Sequence, residues 1–143
     1  MKDVHILLVE DNEGDILLTR EALLDAKINN QVSVVRDGEA AINFLNSTLQ
    51  QDRHLLPDLI LLDINLPKID GKEVLHYIKT NPGLKKIPVV MLTTSSSELD
   101  VVDSYNNHAN CFITKPVDLN KFFDVVRMIE DFWITIVKLP SQN

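Results

Sequence analysis

The stretch LILLDINLPKIDG, Leu59 to Gly71, holds the key to the architecture of the chain. Its first four residues are apolar without alternation, they end in the carboxylate of Asp63, and a turn containing Pro67 and closed by Asp70-Gly71 comes next. A continuously apolar strand belongs between two covering layers. A bare carboxylate is costly there, so Asp63 either emerges into solvent at the strand's end or has company.

Four more runs on either side have strand length: VHILLV from Val4, QVSVVR from Gln31, IPVVML from Ile87 and CFIT from Cys111, with the quoted strand itself entered at Asp58. The segments between them have helical length and pattern. Gly14 to Ile28 is rich in Leu, Glu and Ala, and Asp37 to Asn46 starts on a natural Asp-Gly cap. The segment from Gly71 to Lys79 stops before the breaker Asn81-Pro82-Gly83. Ser96 to Asn107 starts on serine caps, and a last helix begins near Pro116. Strict alternation of strand and helix predicts an α/β domain, a parallel sheet with helices on both faces. Right-handed crossovers leave few topologies for it. The irregular stretch Ser47 to Pro57 is expected to be a lengthened surface loop.

The chain has 143 residues, 45% of them hydrophobic, which suits one globular domain and not two full-sized ones. Its formal charge of −7 speaks against binding nucleic acid or anionic lipid through the overall field. No apolar run reaches the roughly twenty residues of a membrane span. The N-terminus has too short an apolar core and too acidic a sequel for a signal peptide, so a cytoplasmic location is expected. The single cysteine, Cys111, rules out an intrachain disulfide and reads as a small hydrophobe.

In open α/β sheets the working residues collect at the carboxyl edge, so the residues just past each strand are informative. Glu10 and Asp11 come after the first, Asp63 closes the third, Thr93 and Thr94 the fourth, Lys115 and Pro116 the fifth. Taken singly, an acidic pair caps a helix, an Asp or a Lys-Pro makes a turn, and the Thr-Ser run caps the next helix. Together on one edge they crowd three carboxylates beside a hydroxyl and an ammonium. Like charges so close raise one another's pKa, and a hard divalent cation relieves them. Mg²⁺ favours a few carboxylate oxygens, a carbonyl, waters and a phosphate.

As a set, the acidic pair, the DINLPKIDG block, Thr93 closing the fourth strand and Lys115-Pro116 closing the fifth resemble the receiver domains of two-component response regulators (CheY-like). The likeness runs from about Val4 to about Ile134. It implies a flavodoxin-like three-layer sandwich with strand order 2-1-3-4-5, here one receiver domain over residues 1–143 with an extended C-terminal helix and no output domain. It implies Asp63 as phosphoacceptor, with Glu10, Asp11, Asp63 and the backbone carbonyl of Asn65 holding Mg²⁺. By the same resemblance Thr93 and Lys115 contact the phosphoryl oxygens, Phe112 is the switch aromatic, and Asn65 and Ser95 flank the site at positions that influence phosphoryl lifetime. Pro116 fixes the turn after Lys115. The chain would then be a regulatory phosphoacceptor rather than an enzyme, loaded by a sensor histidine kinase that docks near the acidic loop, with Ile16 and Leu17 as candidates for that contact.

The last segment, DLNKFFDVVRMIEDFWITIVKLP, is more apolar than one sheet face requires. On a helical wheel Leu119, Phe122, Phe123, Val126, Ile129, Trp133 and Val137 make one stripe. Val125, Phe132 and Ile136 make a second, and together they span roughly half the circumference where about 100° suffices. Exposed patches of that size mark interfaces, so a homodimer on the face formed by the fourth helix, fifth strand and fifth helix is expected. Packing against the Ser47–Pro57 loop, or simple exposure of the second stripe, is the alternative. This tail, EDNEGD and the lengthened loop also look like the single-domain regulators of bacterial and cyanobacterial phytochrome kinases, which implies a light-regulated input.

Rival functions fit less well. FMN binding wants a hydroxyl- and glycine-rich phosphate loop where this chain has EDNEGD. A phosphoaspartate phosphatase needs an acid two residues after its nucleophile, and Asn65 cannot protonate a leaving group. A metal-dependent nuclease fits the carboxylates but not the charge. A receiver-like scaffold that takes no phosphate fits poorly with intact Asp63, Thr93 and Lys115. His5, His54, His76 and His108 have neither metal-ligand spacing nor a nucleophile partner in sequence.

Overall fold

The computed structural model describes residues 4–24, 30–93 and 111–115, together with Asn120 and Asp124. The elements in chain order are β1 (Val4–Val9), α1 (Glu13–Leu24), β2 (Asn30–Val35), α2 (Gly38–Gln51), a 3-10 turn (Arg53–Leu55), β3 (Leu59–Asp63), α3 (Gly71–Thr80), β4 (Val89–Thr93) and β5 (Cys111–Thr114). The strands form one sheet in the order β2-β1-β3-β4-β5, every pair parallel. This is the predicted α/β architecture of flavodoxin-like, CheY-like folds.

Burial explains the order. β3 and β4 are buried at every position, as their unbroken apolar runs require of interior strands covered on both faces. β2 is only half-buried and takes an edge. Two apolar clusters lie on opposite faces of the sheet. Leu7, Val9, Ile60, Leu62, Val89 and Met91 pack with Ala41 and Leu45 of α2 and with Val74, Leu75 and Ile78 of α3. Ile6, Leu8, Leu59, Leu61, Val90 and Leu92 pack with Ile16 and Leu23 of α1. The period-two alternation of each strand sorts its residues between the two.

Two sequence expectations need correction. Ser47 to Pro57 is not an open loop: α2 runs on to Gln51 and a 3-10 turn succeeds it. Nothing in STLQQ breaks a helix. Thr48 donates its hydroxyl to the Phe44 carbonyl at 2.7 Å, and Leu49 packs against the core. Asp52 then starts the 3-10 turn by accepting from the His54 N–H at 2.9 Å. The second correction is Ile16, which is 4% exposed and belongs to the core, whereas its neighbour Leu17 is 59% exposed. The predicted helices over 96–107 and from 116 onward lie outside the described residues, except for Asn120 and Asp124, which are helical. So do Ser95, Pro116 and the apolar stripes, with Val125, Phe132 and Ile136 among them.

The N-terminal histidine keeps to structure. The backbone N–H of His5 donates to Asp58 at 2.9 Å, and its ring Nε2 lies 2.9 Å from the Ser33 hydroxyl. His5 stands near the start of β1, at the sheet edge opposite the strand ends that carry the carboxylates.

The loop from β3 to α3 is seated by two glycines. A Cβ on Gly71 would stand 2.2 Å from the Asp63 carbonyl oxygen and 2.7 Å from the Ile64 Cα. One on Gly38, at the start of α2, would stand 1.9 Å from the Ile69 carbonyl oxygen. Within the loop Lys68 adopts a left-handed φ of 68°, unusual for a side chain other than glycine, asparagine or aspartate. It pairs with Asp37 at 3.7 Å. Asp70 caps α3 by accepting from the Glu73 N–H at 2.9 Å. Gly71→Ala is therefore expected to lower stability by about 1–3 kcal/mol, the usual range for overpacking, read as a reduced urea midpoint at unchanged slope.

Candidate functional site

One residue past the last register pair of β1 and β3, Val9 with Leu62, stand Glu10 and Asp63. The parallel sheet thus brings two carboxylates together at its carboxyl edge. Glu10 is fully buried, Asp63 is 2% exposed and Thr93 is 1% exposed. Asp11, the next residue after Glu10, is exposed. Carboxylate oxygens of Glu10, Asp11 and Asp63 lie within 4.8 Å of one another.

Lys115 reaches this cluster from the end of β5, where its N–H donates to the Thr93 carbonyl at 2.7 Å. Its ammonium lies 2.8 Å from Glu10 Oε1, 3.0 Å from Asp15 Oδ2 and 3.2 Å from Asp63 Oδ2. Burial pulls the Lys115 pKa down. The hydrogen bonds to Glu10 and Asp15 and the Asp63 charge outweigh burial and hold the ammonium above its ordinary range. Glu10 goes the other way for a carboxylate. Burial, followed by its contact with Asp63, pushes it up from 4.5 to about 7 although Lys115 pulls it down.

The backbone supports these side chains. The Asn12 N–H donates to Glu10 Oε2 and the Asn65 N–H to Asp63 Oδ1, each at 3.3 Å. Asn12 also caps α1, its side-chain oxygen accepting from the Asp15 N–H at 2.9 Å. Thr93 and Phe112 stand on adjacent strands in the register Met91–Phe112 and Thr93–Thr114. Alternation puts both on the face opposite α1, where Phe112 is half-buried against the core.

The structure therefore gathers Glu10, Asp11, Asp63 and Lys115 into one site, with Thr93 closing the neighbouring strand and Asn65 exposed at the mouth of the loop. Asp15 belongs to this site too, and the sequence alone did not single it out. Its signal was faint, because an acid in the first turn of a helix is ordinary for dipole reasons. The donor set consists of carboxylate oxygens, with Glu10 and Asp63 buried and the Glu10 pKa pushed up to about 7 even beside the Lys115 ammonium. That chemistry fits a hard, oxygen-loving divalent ion. Among the described residues no helix is long and apolar enough to cross a membrane.

Comparison with known proteins agrees. The family model of the response regulator receiver domain matches residues 6–127, and the chain belongs to that family. It is 49% identical over 136 residues to the response regulator Rcp1 of Synechocystis sp., covering 95% of this chain and 92% of that protein. The Mn²⁺-bound form of Rcp1 superposes with a TM-score of 0.71 at 49% identity, covering 91% and 94% of the two chains. The phosphorylated cyanobacterial phytochrome response regulator RcpA gives a TM-score of 0.74 at 48% identity, with 93% and 95% covered. The bacteriophytochrome response regulator AtBRR gives 0.81 at 44% identity, with 93% and 96% covered. As a response-regulator receiver domain the chain is a regulatory protein and implies a sensor kinase partner.

The raised Glu10 pKa carries a sign that can be measured. Glu10 is more protonated in the folded protein than in the unfolded chain between pH 4.5 and about 7, so its contribution to stability falls as pH rises through that window. The unfolding midpoint of the metal-free protein is expected to drop across this range. Saturating MgCl₂ is expected to raise it more above the window than below, because an ion at the site favours the ionised carboxyl. A midpoint independent of pH in both conditions would show that Glu10 exerts no such control.

Proposed function

We propose that this protein is a stand-alone response regulator that accepts a phosphoryl group on Asp63 from a sensor histidine kinase and relays it as a change of surface. The observation that carries the proposal is the cluster of Glu10, Asp11 and Asp63 within 4.8 Å, with the Lys115 ammonium 3.2 Å from Asp63. Glu10, Asp11, Asp63 and the Asn65 carbonyl would hold Mg²⁺. When bound, that ion supplies positive charge to the phosphoryl oxygens and to the crowded carboxylates.

The residues of the chain do the rest. A carboxylate oxygen of Asp63 forms the new O–P bond as the N–P bond of a phosphohistidine breaks. The departing imidazole nitrogen keeps the electron pair and takes up a proton. Lys115 offers its ammonium to a phosphoryl oxygen, and Thr93 offers its hydroxyl to another. No acid stands two residues after Asp63, where Asn65 lies, so the chain has no group there to protonate a leaving alcohol. This supports a phosphoacceptor over a phosphatase-type enzyme.

The product is an acyl phosphate whose oxygens demand partners. Thr93 moving toward them vacates space on the face it shares with Phe112, and Phe112 rotates inward to fill it. A switch from mostly off to mostly on needs about 5 kcal/mol of differential binding. Charge-assisted hydrogen bonds of about 1.5–3 kcal/mol each are on that scale. The apolar surplus at Val125, Phe132 and Ile136 supports a homodimer through the fourth helix, fifth strand and fifth helix. The likeness to the phytochrome response regulator RcpA and the bacteriophytochrome response regulator AtBRR supports a phytochrome-type kinase as the cytoplasmic partner.

Intact-mass measurement after incubation with acetyl phosphate tests the acceptor. One phosphoryl group per chain is expected with Mg²⁺, none without it, and none in Asp63→Asn. A gain that survives Asp63→Asn, or no gain from either acetyl phosphate or a histidine kinase, would overturn the proposal.

A further inference from the structure

We propose that Asp15 is a positioning residue that holds the Lys115 ammonium in place throughout phosphoryl transfer, an inference that rests on the phosphoacceptor function proposed above. An ammonium carries three hydrogens on a flexible stem, and its direction must be imposed by its acceptors. Lys115 meets three: Glu10 at 2.8 Å, Asp15 at 3.0 Å and Asp63 at 3.2 Å. Two of these have other duties. Glu10 and Asp63 belong to the carboxylate cluster suited to a divalent ion, and Asp63 gives up an oxygen to phosphorus in the reaction. Asp15 lies outside that cluster.

Asp15 is also the partner whose own position is fixed by something else. Its backbone N–H is held by the Asn12 side chain at 2.9 Å. The helix whose first turn it occupies is anchored to the sheet through Ile16, Thr19 and Leu23. With Glu10 and Asp63 engaged in holding a divalent ion, Asp15 would keep the ammonium tethered to α1 and aimed at the place where the phosphoryl group arrives. Glu13 offers the internal comparison. It has the same charge in the same first turn of α1, but it is exposed and pairs with Arg36 rather than with the site.

The test compares Asp15→Asn with Glu13→Gln. With acetyl phosphate and saturating Mg²⁺, Asp15→Asn is expected to phosphorylate about tenfold more slowly, as misplaced catalytic groups do, and Glu13→Gln within about twofold of the unmodified chain. In a Lys115→Ala background Asp15→Asn should add nothing, because a residue acting through another gives a non-additive cycle. A readout independent of metal and phosphate is the acylation of Lys115 by an amine-reactive ester, located by peptide mass. Asp15→Asn should label several-fold faster, because one of the three anionic partners that hold the ammonium becomes neutral, and Asp15→Glu, which keeps the charge, should label close to the unmodified rate. Unchanged phosphorylation and labelling in Asp15→Asn would overturn the proposal. So would an equal slowing in Glu13→Gln, or an undiminished effect without Lys115. If the unmodified protein takes no phosphoryl group, the acceptor function fails first, and the labelling result still decides whether Asp15 holds the ammonium.

Discussion

The meeting of Lys115 with three carboxylates governs this structure. Glu10 and Asp63 are buried side by side where strands β1 and β3 end, and two such groups repel unless a cation intervenes. The cation comes from a residue 105 positions along the chain from Glu10, delivered by β5 at the edge of the sheet beyond β4. The site exists only when the whole sheet is assembled in register. A slip of one residue in any of the three strands would turn its end group to the opposite face.

The sheet can tolerate this frustrated edge because its stability lies elsewhere. Both faces of β3 and β4 are buried in apolar clusters closed by α1 on one side and α2 and α3 on the other. The carboxylates project past that core. Ion pairs in such settings contribute little net stability, and Lys115 does not satisfy the site completely, since the Glu10 pKa stays raised to about 7 despite it. A site with one ammonium among several carboxylates is short of positive charge and ready to take a divalent ion. With that ion, a dianionic phosphoryl group can approach a carboxylate it would otherwise avoid.

Much of this was legible in the sequence. The strands announce themselves as unbroken apolar runs, and their ends fall within a residue or two of expectation because Asp63, Asp37 and Asp70-Gly71 punctuate the chain. Glu10, Asp63 and Lys115 could be brought together by the rule that strand ends collect on one edge. Gly71 could be seen as a turn residue but not as one pressed against the Asp63 carbonyl, since close approach is a tertiary fact. The extension of α2 to Gln51 was missed because polar Ser, Thr and Gln look like loop, although none of them stops a helix. Asp15 was missed because its partner is 100 residues away, and a first-turn acid has a sufficient local explanation. Ile16 and Leu17 are indistinguishable by composition. Only the angle of α1 on the sheet decides which is buried.

If Asp63 ends a buried strand in order to carry phosphate, its carboxyl must be the group that changes chemically. After phosphorylation in Mg²⁺, reduction with borohydride converts an aspartyl phosphate to homoserine, and peptide mass spectrometry locates it. Homoserine is expected at position 63 and at no other carboxylate. Homoserine at Asp11 or Asp15, or a stable phosphoryl group recovered on a histidine or hydroxyl, would be incompatible with Asp63 as the acceptor.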